Sequence, residues 1–203
     1  MHRCTWLLAA LAAAALASGA LADSPITSTY FAEAYSEDYA MVKAAEESGA
    51  MTLEIAQYLA DSETPIDVKA AVVNALSWEF EGKSNAETYC EMRFPDADDI
   101  PSPRDVSGED ALVIGYLQVM DNYFEPAEAL PMLIHARREL PESFTVAMVH
   151  TLCECQRRFD DVQQWDQLWA LTEEVVNDEE LNGDMRLGAV RIIVDYMSIY
   201  GEE

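Results

Sequence analysis

Thr64-Pro65-Ile66-Asp67-Val68-Lys69-Ala70-Ala71-Val72-Val73-Asn74-Ala75-Leu76 opens with a hydroxyl suited to an N-cap, a proline at the first helical position and an acid in the first turn. Together these are a helix start signal. Val68, Ala71, Val72, Ala75 and Leu76 then recur at helical spacing, so the segment reads as a helix with a broad apolar face. Upstream, Ser36 is placed to cap a helix running to about Ser48, which Gly49 stops. Thr52 begins a short helix ending at Ala60. Downstream, Ser84-Asn85-Ala86-Glu87 has the form of a capping box, and the helix it starts should end before Pro95.

Residues 95–107 interrupt this regularity. Asp96-Ala97-Asp98-Asp99-Ile100-Pro101-Ser102-Pro103 mixes acids and prolines with no amphipathic period, which predicts an exposed loop joining two helical layers. Beyond it, helices are expected over about 108–122, 126–139, 142–157, 161–177 and 184–199. Ser107, Glu125, Pro141, Asp160 or Asp161, and Asn182-Gly183 punctuate them. No run alternates apolar and polar residues as a half-buried strand would. The expected fold is all-α: eight to ten helices in antiparallel hairpins, forming an α-α superhelix or an irregular helical bundle. Residues 23–203 are read as one helical domain.

The chain has 203 residues, half of them apolar, enough for one core. Its 38 acidic and 12 basic residues give a formal charge of −26. That balance excludes nucleic acid, which needs clustered Lys and Arg. It favours a basic protein or peptide as partner, and it keeps an exported protein soluble. An acid excess with so few lysines (Lys43, Lys69, Lys83) also suits high salt. No D-x-[DN]-x-[DN]-G run marks an EF-hand.

Residues 1–22 read as a signal peptide. His2 and Arg3 form a basic start, Trp6 to Ala17 is apolar, and Ala20-Leu21-Ala22 supplies small residues for cleavage after Ala22. The protein is therefore expected in the periplasm or outside the cell, with no membrane attachment once the signal is removed.

Ala129, Leu133, Ala136 and Pro141 reproduce the spacing of the second helix and closing proline of a tetratricopeptide repeat, and Gly115 lies in the preceding helix. Trp165 and Trp169 follow Ala129 and Leu133 by a period in the mid-thirties, which suits a helical-hairpin repeat. The chain thus resembles α-helical repeat proteins over residues 108–177, while the Val68–Leu76 seam is similar to a HEAT-type pair. The family's Trp-x2-Leu-Gly-x2-Tyr string is missing, and Trp165 stands where a small residue belongs. The resemblance implies a concave surface that presents a peptide or protein.

Specific chemistry is sparse. Cys90, Cys153 and Cys155 remain after signal removal, an odd number for an oxidising compartment. Residues two apart point roughly 200° apart on a helix, so any disulfide should join Cys90 to Cys153 or to Cys155; otherwise all three are buried free thiols. His150 and Cys153 share a helical face, a spacing open to two metal ligands with Cys90 as a third. His135 sits in a different helix. No nucleophile elbow, Walker loop, H-E-x-x-H or G-x-G-x-x-G is present. No catalytic residue and no cofactor are assigned. Trp165, Trp169, Tyr30, Phe31 and Tyr35 read as core. The last helix is apolar around nearly its whole circumference, which predicts burial on several sides, either between other helices of the same chain or against a partner. The expected function is non-catalytic binding or scaffolding. The alternatives are a metal-binding protein or metal-dependent enzyme centred on His150 and Cys153, and a hydrolase using opposed carboxylates.

Overall fold

The computed structural model describes residues 24–201, so the expected signal segment lies outside the described residues. Within them are nine α-helices and no strand. These are α1 (Ala40–Ser48), α2 (Leu53–Ala60), α3 (Ile66–Leu76), α4 (Asn85–Arg93), α5 (Gly108–Asp121), α6 (Leu130–Glu139), α7 (Phe144–Phe159), α8 (Trp165–Val176) and α9 (Leu187–Met197). Short 3-10 turns at Pro103–Asp105, Pro126–Glu128 and Val162–Gln164 lie between helices, and others at Phe31–Ala34 and Ser198–Tyr200 flank the first and last.

Local side chains start several of these helices, as expected at Thr52 and Ser107. The hydroxyls of Thr52, Ser107 and Ser143 accept the N–H of Ile55, Asp110 and Val146 at 3.1–3.3 Å. Each fills one of the donors a helix N-terminus leaves open. Gly49 ends α1 at φ +61°, a conformation glycine adopts without strain.

Other starts differ from the sequence reading. α1 begins at Ala40, because the Ser36 hydroxyl donates to the Glu33 carbonyl instead of capping. Pro65 is the N-cap of α3, while the Thr64 hydroxyl turns back to the Tyr58 carbonyl at 3.0 Å. The Ser84 hydroxyl makes no cap bond. Its place at α4 is taken by Asp121, whose Oδ2 accepts the Ala86 N–H at 2.7 Å. Asp184 does the same for α7, accepting from the Thr145 N–H at 2.9 Å and the Ser143 hydroxyl at 2.6 Å. A carboxylate fixed by its own element loses little further freedom on capping and meets the positive end of the helix dipole.

Packing centres on α3 and α5. Every residue from Val68 to Leu76 is buried, with α1, α2, α5, α7 and the 31–34 turn packed around them. Asn74 ties three of these elements. Its Oδ1 accepts the Ala32 N–H, and its Nδ2 donates to the Thr29 carbonyl and the Tyr116 hydroxyl, at 2.9–3.2 Å. Nearby, Lys69 is buried and pairs with Glu109 at 2.5 Å. Asp110 gathers Tyr89, Arg93 and Ser107.

α5 and α6 form the hairpin in which the repeat spacing was read. A Cβ on Gly115 would sit 2.8 Å from Leu133 Cγ, so only glycine permits this approach. Ala129, Leu133 and Ala136 are buried beside it.

Helix α9 corrects the expectation of insertion between other helices of the same chain. Only Ala189, Ile193 and Met197 are buried, and Leu187 is 84% exposed. The helix lies on the outside against the 31–34 turn and α8, so its apolar residues at other angles remain part-exposed. Arg186 fastens it there. Its side chain donates to the Ala34 carbonyl, pairs with Asp38 at 2.6 Å, and stacks 4.9 Å from both the Tyr35 and Tyr39 rings. Trp165 is a second correction: it lies exposed against Phe159, 5.3 Å between ring centres, rather than in the core. Phe31 and Tyr35 are fully buried.

Candidate functional site

At the end of α3 the chain turns sharply. Ser77 takes φ 59° and ψ −176°, a backbone region that residues with a Cβ rarely enter, and this directs residues 77–84 across the end of α5. Lys83 holds the loop from beneath, donating from Nζ to the Leu76 and Gly49 carbonyls at 2.7 Å each. The Lys83 N–H donates to the Asp121 carbonyl at 3.0 Å. Gly82, at φ +82°, crosses that carbonyl so closely that a Cβ would lie 3.2 Å from it.

This geometry lines up aromatic rings from two loops. Trp78 packs edge-on against Tyr123 with centres 4.9 Å apart, and Tyr123 is buried. Phe80 and Phe124 meet edge to face at 5.5 Å, yet they stay 66% and 52% exposed. Both rings are therefore open to contact from solution. They border a cavity of about 470 Å³ whose remaining lining includes Glu79, Glu81, Lys83, Asp121 and Asn122.

Asp121 belongs to the lining of this cleft and is only 6% exposed. Oδ2 caps α4, whereas Oδ1 is buried with no hydrogen-bond partner. The Asn85 N–H also leans on the carboxylate without closing a well-formed bond to Oδ1. Burial pushes this carboxyl up to about 6, against the pull of the Ala86 and Asn85 amides and of Lys83. The Tyr123 hydroxyl is likewise buried without a partner. Exposed ring faces beside carboxylates attract cations, through the ring quadrupole and through charge.

The residues singled out from the sequence lie elsewhere and do not converge. Cys90 lines a different cavity, with Glu87, Glu91, Asp98 and Asp99. Cys153 donates toward the Pro126 carbonyl at 3.4 Å, and Cys155 toward the Leu168 carbonyl at 3.5 Å on the opposite side of α7. All three are free thiols, so the bond from Cys90 to Cys153 or Cys155 is not formed. Burial pushes each up to about 12. His150 Nε2 is buried and unpartnered, and burial lowers its affinity for a proton. His135 contacts the Val106 carbonyl. Among the described residues, no three His, Cys, Asp or Glu side chains are placed to hold a metal ion. The His150–Cys153–Cys90 set is therefore not assembled.

Reading helical periodicity passed over Phe80, Asp121 and Phe124. The available signal was their position: aromatic pairs immediately after α3 and α5, outside any helical stripe. Comparison with protein-family models, curated proteins and solved structures finds no match for the chain.

Proposed function

We propose that this is an exported, non-catalytic binding protein whose partner is a basic protein or peptide. The observation that carries the reading is the cleft between residues 77–84 and 121–124, where exposed Phe80 and Phe124 stand among carboxylates. The overall charge of −26 draws a basic partner toward any face. The aromatic pair gives one face the apolar contact that holds it. No specific observation favours a metal centre at His150 and Cys153 or a carboxylate hydrolase.

The test is calorimetric titration with polylysine and with polyglutamate at low and high salt. Polylysine should bind, and added salt should weaken it. Replacing both Phe80 and Phe124 by Ala should reduce affinity by roughly tenfold at constant charge. Equal affinity in that variant would reduce the interaction to unspecific charge attraction and sink the assignment.

A further inference from the structure

Three features of the cleft point to one guest. It has two exposed ring faces, and its lining includes Asp121, whose buried Oδ1 has no well-formed hydrogen bond. Among the described residues Lys83 is the only basic one in its lining, and its ammonium is committed to the Leu76 and Gly49 carbonyls, with Glu79 at 3.6 Å. The site is thus built for a cation that the protein does not itself supply. We infer that the cleft seats one cationic side chain of the partner, a lysine ammonium or an arginine guanidinium, on the Phe80 and Phe124 rings with Asp121 as counter-charge. This rests on the basic-partner reading above.

The pairing has a consequence in solution. A cation close to Asp121 favours the ionised carboxylate, so the guest and a proton compete for the same group. Around Asp121 stand Lys83 from the loop and Glu87 from α4, which act in opposite directions. Glu79 and Glu81 line the cleft, and Tyr123 follows on the same segment. Because burial holds Asp121 at about 6, its titration falls inside an accessible pH range.

The experiment is titration of the full protein with trilysine and with its ε-acetylated form, between about pH 5 and about pH 7.5. Trilysine should bind roughly tenfold more weakly at the acid end, and the acetylated peptide should lose most of its affinity throughout. The D121N variant should bind trilysine weakly and show a flat profile over that range. The F80A/F124A variant changes only exposed rings, and it should lose affinity while keeping the pH dependence of what remains. Wild-type pH dependence retained in D121N would overturn the assignment of Asp121, leaving the broader basic-partner reading intact. Failure of both polylysine and trilysine to bind at any pH would remove that reading itself.

Discussion

Asp121 and Asp110 are both buried carboxylates of α5, and they affect stability with opposite sign. Burial would raise Asp110, but hydrogen bonds from Arg93, Ser107 and Tyr89 outweigh it and hold this group below its ordinary range. Its contribution is present at neutral pH and is lost as pH falls through that lowered value. Asp121 is raised to about 6 from 3.8, so the folded state binds its proton more tightly than the unfolded chain does. Its contribution is complete below about pH 4 and disappears as pH rises through about 6. A shift of about two units corresponds to about 3 kcal/mol. The stability of D121N relative to the wild type should therefore rise by about 3 kcal/mol between pH 4 and pH 7, as read from denaturant unfolding at each pH. A constant difference would mean that the carboxyl titrates normally.

The helices themselves were largely legible, because most of what starts and stops them lies within three or four residues. Thr52, Ser107, Ser143 and Gly49 each act on a neighbour in the chain. The caps that escaped the reading act from a distance: Asp121 on Ala86, 35 residues away, and Asp184 on Thr145, 39 residues away. In so acidic a sequence, nothing distinguishes these two aspartates from solvated ones. The same limit hid the candidate site, since Phe80 and Phe124 meet only when α3 and α5 pack. The periphery of α9 was illegible for another reason. Composition around a helix measures what could be buried, and the number of neighbouring elements sets what is. The α5/α6 hairpin offers a direct test of packing. An alanine at an ordinary helical glycine gains up to about 1 kcal/mol. At Gly115 the new methyl would meet Leu133 and Met132 within 3.0 Å, so G115A should instead lose about 1–3 kcal/mol in a chemical denaturation experiment.

At the scale of the molecule, one apolar core runs from Ile26 to Met197 and encloses all three thiols. Each is pushed up to about 12, which leaves almost no thiolate at neutral pH. In the chain beginning at Asp23, iodoacetamide should leave the native mass unchanged and add one adduct at each of Cys90, Cys153 and Cys155 after unfolding. A single adduct would reveal the internal bond that the folded arrangement does not contain. The Arg186 clasp also constrains how this molecule comes into being. The Tyr35 hydroxyl that accepts the Arg186 N–H lies 151 residues earlier in the chain. A polypeptide emerging from a ribosome or a translocation pore therefore has its beginning long before it has the residue that locks it. Until then the two tyrosine rings that flank the guanidinium lack their guest, and closure of the fold is deferred to almost the last helix.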